Sequence, residues 1–119
     1  METTPFERLR IYKETLEFIK QVYLLCKTFP KDEIYALIDQ LKRAATSILL
    51  NIAEGQGRLT AKDKAHFLYT ARGSIYEVLA ILDIAFSQNY LTQHQLEDLR
   101  NDLFHILKQL NSLISYYLK

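Results

Sequence analysis

Apolar residues recur every three or four positions along four separate segments of the chain. This spacing places them on one side of an α-helix and is typical of helices that bury one face. The first segment carries this pattern at Leu9, Tyr12, Leu16, Ile19, Tyr23 and Cys26. Pro30, directly after Phe29, is predicted to end the first helix, because proline cannot continue one.

The second segment begins with two acidic residues and ends at a glycine. Asp32 and Glu33 suit the positive end of a helix dipole, and Gly55 is typical of the position just past a helix C-terminus. The apolar positions between them are Leu41, Ala45, Ile48 and Ile52.

The third and fourth segments each begin with a capping pattern. Thr60 precedes Asp63 by three residues, and Thr92 precedes Gln95 in the same way. The break between the two helices is predicted at Asn89-Tyr90. The apolar positions are Phe67, Ala71, Ser74, Val78, Leu82 and Ala85 in the third helix, and Leu96, Leu99, Leu103, Ile106, Leu110, Leu113 and Tyr117 in the fourth.

The connections between these four segments are short. Short connections make neighbouring helices antiparallel, so the pattern predicts an all-α, up-down-up-down four-helix bundle. At 119 residues, the chain is expected to form a single domain over residues 1–119.

The first and last helices each carry a second apolar row. Since a monomeric bundle needs about one apolar stripe per helix, we expect a second copy of the chain to cover one of the two rows. The alternative is a wide core face with some apolar area left in water. These second rows are Phe18, Val22, Leu25 and Phe29 in the first helix, and Phe104, Leu107, Ile114 and Leu118 in the fourth.

A polar stripe runs along the second helix beside its apolar face. Its members, three or four residues apart, are Arg43, Ser47, Asn51, Glu54 and Arg58. In an antiparallel bundle, Arg43 lies near the level of Ser74 and Glu77, and Glu54 lies near the level of Arg8 and Arg10. We therefore expect Arg43, Ser47, Asn51, Glu54, Ser74 and Glu77 to form a structural polar network, with a ligand or partner site as the alternative.

Three stretches of the chain, two along the second helix and one in the third, carry a family resemblance: "LKRAATSI", "NIAEGQGR" and "ARGSIYE". They resemble the four-helix bundle proteins encoded in intervening sequences of bacterial large-subunit (23S) ribosomal RNA genes. The resemblance extends over nearly the whole chain and implies a bundle that assembles as a homopentamer. It also implies kinship with the accessory protein of diversity-generating retroelements, which binds nucleic acid and a reverse transcriptase. One departure is Tyr12, where the family often has tryptophan.

Composition restricts the compartment and the chemistry. There is one cysteine, Cys26, and the N-terminus lacks the apolar core of a signal peptide, so we expect a reduced, cytoplasmic protein. No apolar run is long enough for a membrane span. No acid, base and nucleophile converge, and the Asp63/His66 and Asp102/His105 pairs do not suit a shared metal site. We expect no catalytic activity, no metal and no cofactor.

One basic cluster remains as a candidate binding site. Arg58, Lys62 and Lys64 crowd the start of the third helix, where backbone N–H groups already favour an anion. Arg8 and Arg10 are expected at the same end of the bundle. Such a patch would contact phosphate, although the formal net charge of the chain is only +1.

Two functions therefore stay open from the sequence. One is an oligomeric, non-catalytic accessory protein that binds RNA or DNA. The other is an assembly module that binds another protein, without nucleic acid.

Overall fold

The computed structural model describes residues 1–119 and consists of four α-helices joined by short connections. The helices are α1 (Arg10–Cys26), α2 (Asp39–Gln56), α3 (Ala61–Ser87) and α4 (Gln93–Tyr117). The predicted all-α four-helix bundle is confirmed. No helix combines the length and the apolar character that a bilayer crossing requires.

Side-chain contacts fix the direction of α2 relative to α3. The hydroxyl oxygens of Ser47 on α2 and Ser74 on α3 lie 2.8 Å apart. Towards the connecting turn, Lys64 Nζ donates a hydrogen bond of 3.0 Å to the carbonyl oxygen of Gln56. Residue numbers rise along one helix as they fall along the other, so the two helices are antiparallel.

Polar contacts give the same relation between α3 and α4. Arg72 donates to Asn111 Oδ1 at 3.2 Å, and Arg100 lies 3.6 Å from Asp83. The fourth side of the bundle is closed where Gln109 of α4 donates to the Glu14 carboxylate of α1.

Helix ends form where the capping residues predicted them. Thr60 Oγ1 accepts a hydrogen bond of 3.1 Å from the Asp63 backbone N–H. Thr92 and Gln95 make both bonds of a capping box, at 3.1 Å and 2.8 Å. Between α3 and α4, Asn89 has a φ of 63°. This left-handed conformation is one that asparagine tolerates better than most residues, and it reverses the chain at the predicted break.

The start of α2 differs from the prediction. A 3₁₀ turn at Lys31–Glu33 and a wide π-helical turn at Ile34–Ile38 precede the regular helix, which begins only at Asp39. No side chain caps this entry, because the backbone already follows helical turns before the regular hydrogen-bond pattern starts. The acidic pair therefore marks the first helical turn after Pro30 rather than the start of α2.

The role predicted for Gly55 is wrong. Gly55 is buried inside α2, which continues to Gln56, and it has no positive φ. A Cβ atom at this position would lie 3.1 Å from the Lys64 carbonyl oxygen and 3.2 Å from the Phe67 Cβ. The glycine therefore allows α2 and α3 to approach closely at their shared turn.

The core takes the second apolar row of α1 and only part of the first. Phe18, Val22 and Leu25 of the second row are buried. In the first row Ile19 and Cys26 are buried, whereas Leu16 and Tyr23 are 46% and 41% exposed. The second row of the last helix is partly exposed as well, since Phe104 of α4 and Leu118 directly after α4 face solvent.

The single cysteine belongs to the core. Cys26 is buried at the end of α1, and burial raises the pKa of its thiol, with a smaller opposing effect of the nearby Lys42 charge. A thiol in this state is mostly protonated at neutral pH and is a poor nucleophile.

Candidate nucleic-acid interface

The bundle brings four chain segments together at one end. These are the start of α1, the turn between α2 and α3, the start of α3 and the end of α4. The Gln56 side chain at the end of α2 exchanges hydrogen bonds of 3.1 and 3.3 Å with the Tyr117 hydroxyl at the end of α4. We call this region the basic end. It holds the five predicted phosphate-contacting residues Arg8, Arg10, Arg58, Lys62 and Lys64.

Lys64 is the most constrained cation of the basic end. Its Nζ donates to the free carbonyl of Gln56 and lies 5.7 Å from the centre of the Tyr117 ring. The residue is half-buried. It therefore caps the C-terminus of α2, where a positive charge also meets the negative end of the helix dipole.

Arg58 and Lys62 are more available. The Arg58 guanidinium lies 3.6 Å from Glu54 and 4.6 Å from the centre of the Phe67 ring, and its side chain is 45% exposed. Lys62 is exposed and takes part in no hydrogen bond or ion pair. The stacking holds Arg58 in one orientation while leaving part of its guanidinium edge open to solvent.

The two N-terminal arginines do not reach Glu54 or Asn51. Arg8 donates to the carbonyl and hydroxyl oxygens of Thr3, and Arg10 lies 3.2 Å from Glu14 within its own helix. Although Glu54 was expected near their level, it pairs with neither of them. Glu54 pairs with Arg58 instead, because that residue lies one helical turn further along the same chain segment.

A hollow beside the basic end brings Lys108 and Tyr116, which the sequence pattern did not single out, next to the predicted residue Arg10. It has a volume of about 560 Å³ and lies between the start of α1 and the second half of α4. Arg10, His105, Lys108 and Tyr116 line it, and Tyr116 is 64% exposed. These residues lie far apart in sequence, and only the pairing of α1 with α4 brings them together. An exposed aromatic ring beside cations is an arrangement on which a nucleobase can stack.

The opposite end of the bundle is rich in carboxylates, which explains the near-neutral net charge. Partial burial, followed by the neighbouring Asp98 and Glu14 charges, raises the pKa of Asp102 in the groove between α1 and α4. Carboxylates outnumber cations in this half of the bundle, although Lys27, Lys31 and Arg43 also lie there. The carboxylates near the opposite end are Asp32, Glu33, Asp39, Glu97 and Asp98.

The predicted polar network forms only in part. Asn51 Nδ2 donates to the carbonyl and hydroxyl oxygens of Ser47, which in turn lies against Ser74. Arg43 is not part of this network: its side chain is 80% exposed and pairs with Asp39 at 3.5 Å. Glu77 is also exposed and pairs with no cation. Both residues project away from the packed centre of the α2–α3 contact, so the predicted internal Arg43–Glu77 pair does not form within one chain.

No set of three or more His, Cys, Asp or Glu side chains is arranged to hold a metal ion. The Asp63/His66 pair and the Asp102/His105 pair lie at different levels of the bundle. Asp63 occupies the first turn of α3, whereas Asp102 lies in the first half of α4.

Comparison with known proteins places the fold in a family. A solved structure of a protein of unknown function from the S23 ribosomal protein family of Bacteroides thetaiotaomicron superposes with a TM-score of 0.81 at 28% sequence identity. The match covers 87% of this chain and 97% of that chain. A search of curated proteins found no match. The family model described as "23S rRNA-intervening sequence protein" matches residues 7–112, and the chain therefore belongs to this family.

Proposed function

We propose that this protein is a non-catalytic, oligomeric bundle that binds RNA or DNA through its basic end. The observation that carries the proposal is the convergence of cations from three separate chain segments. Arg10, Arg58 and Lys62 lie at one end of the molecule, and Lys108 adds a fourth charge in the adjoining hollow. The carboxylate-rich opposite end would direct a polyanion towards these residues.

The proposed contact is to phosphate and carries little sequence preference. Lysine and arginine contacts to the backbone position a nucleic acid without reading its bases. Tyr116 could add stacking with one unpaired base, because its ring is exposed beside Arg10 and Lys108. This favours single-stranded RNA or DNA over a duplex.

Self-association is part of the proposal. One subunit offers few cations, and Glu54 and Glu14 offset two of them. Several copies in a ring would multiply the basic end, and the family resemblance supports five copies. We place the protein in the cytoplasm, without a cofactor.

A filter-binding experiment with charge-matched variants tests the binding site. The first variant carries Arg10→Ala, Arg58→Ala and Lys62→Ala, which leaves the Lys64 cap intact. The control carries Lys27→Ala, Lys31→Ala and Arg43→Ala, which removes three exposed cations from the other half of the bundle. Both lose three positive charges, so a difference between them reports position rather than net charge.

We expect the first variant to bind an unstructured RNA or DNA oligonucleotide about tenfold more weakly or worse at low salt, and the control to bind nearly as wild type. Equal binding by both variants would contradict the assignment of the basic end.

A second candidate function is supported by the exposed apolar faces of α1 and α3. Leu16, Tyr23, Tyr76 and Ile84 are each at least 41% exposed, and such faces are typical of interaction surfaces. In that case the protein is an assembly module that binds another protein. Absence of nucleic-acid binding by wild type in the same experiment would favour this function.

A further inference from the structure

Gly73 lies in the middle of α3 on its exposed face. A Cβ atom built at this position would meet no other atom within 4 Å, so packing within the chain does not require glycine here. The close approach of α2 and α3 occurs at Gly55, not here. Glycine inside a helix is destabilising relative to alanine, and nothing within one chain offsets that effect.

The residues around Gly73 form a depression on the helix surface. Gly73, Tyr76, Glu77 and Ala80 are spaced i, i+3, i+4 and i+7, and all four are exposed. In packed helices, four residues with this spacing make the hole that receives one side chain from a facing helix. The missing side chain at Gly73 deepens the hole, and the Tyr76 ring, 57% exposed, forms one wall.

A side chain of matching character projects from α1. Leu16 is 46% exposed, and the exposed residues Lys13 and Lys20 lie three and four positions from it on the same face. The two faces carry opposite charges, because Lys13 and Lys20 flank Leu16 and Glu77 borders the hole on α3. Neither lysine, nor Glu77 beside the α3 hole, takes part in any of the six ion pairs of the chain.

We propose that Leu16 of one copy inserts into the hole formed by Gly73, Tyr76, Glu77 and Ala80 of a second copy. Lys13 or Lys20 then pairs with Glu77 across the interface. This inference rests on the proposed self-association and identifies the surfaces that carry it. The two faces lie on different helices of the same chain, so the contact is heterologous: each copy uses its α1 face towards one neighbour and its α3 face towards the other.

Mixing two variants in sedimentation velocity tests this arrangement. We call the inserting Leu16 side chain the knob. Leu16→Glu removes the knob and leaves the hole, whereas Gly73→Leu fills the hole and leaves the knob. Both positions are exposed on helices, and leucine is a better helix former than glycine, so both variants are expected to fold. Each variant alone should sediment as a monomer of 14.0 kDa.

An equimolar mixture of the two variants should form a dimer, because one intact knob meets one intact hole. Leu118→Glu is the control, since Leu118 is 52% exposed but lies directly after α4, outside both faces. This control should associate as wild type. Leu16→Glu should weaken association by about 30-fold or more, the loss expected for a central anchor residue.

Three results would overturn the inference. If both variants associate as wild type, the faces are wrongly chosen. If the mixture stays monomeric while wild type associates, the contact is not heterologous. If wild type itself is a monomer at micromolar concentration, the proposed self-association fails, and this inference fails with it.

A charge exchange tests the ionic part separately. Glu77→Lys should weaken association of the otherwise native chain, because the lysine would face Lys13 and Lys20 of the neighbour. Adding Lys13→Glu and Lys20→Glu to the same chain should restore it. Failure of this restoration would contradict the pairing of Glu77 with either lysine.

Discussion

The hydroxyl oxygens of Ser47 and Ser74 lie 2.8 Å apart and join α2 to α3 at the middle of their contact. Ser74 also donates to the Thr70 carbonyl at 3.3 Å, and Ser47 receives the Asn51 amide at 3.0 Å. The pair is therefore the centre of a small polar cluster within an otherwise apolar helix contact.

The stability losses from replacing Ser47 and Ser74 should not be additive. We expect Ser47→Ala to lower the free energy of unfolding by about 1 kcal/mol, since Asn51 and Ser74 each lose a partner. The double variant Ser47→Ala, Ser74→Ala should lose less than the sum of the single losses, because no hydroxyl is then left unpaired. Urea unfolding of the wild type, the two single variants and the double variant completes a double-mutant cycle. Strictly additive losses of stability would show that the two hydroxyls are not coupled.

Replacing Gly55 of α2 and Gly73 of α3 by alanine should have opposite effects on the free energy of unfolding. At Gly55 the new Cβ would press on backbone and on Phe67, so Gly55→Ala should destabilise by about 1–3 kcal/mol. At Gly73 the space is open, so Gly73→Ala should stabilise the fold by about 0.5–1 kcal/mol. Both are measured in a Leu16→Glu background, to exclude self-association from the comparison. A loss of stability at Gly73 would mean that the open space on α3 is misassigned.

The capping box at the start of α4 should contribute measurably to stability. Thr92→Ala removes the acceptor for the Gln95 N–H and should destabilise by about 1 kcal/mol. Thr92→Ser keeps a hydroxyl in place and is the matched control. If the alanine and serine variants unfold at the same urea concentration, the cap contributes nothing.

Asp102 should make stability depend on pH in a defined direction. The pKa of its carboxyl is raised in the folded state, so the ionised form opposes folding. The penalty develops as pH rises from the ordinary aspartate range through the raised pKa, and it vanishes below that range. Asp102→Asn should therefore stabilise at neutral pH by about 0.5 kcal/mol, the scale of exposed charge interactions, and change nothing in acid. A gain that does not vary with pH would exclude this charge effect.

The sequence predicted the starts of α3 and α4 and the turn between these helices better than it predicted helix faces. Thr60, Thr92 and Asn89 act through neighbours in the chain, so their roles follow from short-range spacing. The α1 rows differ in this respect. Both rows are apolar, and only the positions of α2 and α4 decide that Phe18 is buried while Leu16 is exposed.

The same limit applies to the candidate sites. The spacing of Arg43 and Glu77 allowed an internal pair, but the rotation of α2 about its axis sends Arg43 towards solvent and Asp39. The hollow lined by Arg10, Lys108 and Tyr116 combines residues from the two ends of the chain. No local sequence pattern predicts that these residues line one hollow, because their proximity depends on how α1 packs against α4.

The most direct test of nucleic-acid binding at the basic end is a salt titration of the wild-type protein. Affinity for an unstructured RNA or DNA oligonucleotide is measured by filter binding between about 50 and 200 mM salt. Counterion release from phosphate predicts that the logarithm of the binding constant falls linearly with the logarithm of salt, by about 0.7 per phosphate contact on a single strand. The slope should become shallower in the Arg10→Ala, Arg58→Ala, Lys62→Ala variant. No binding at the lowest salt, or a slope that the variant leaves unchanged, would contradict the account.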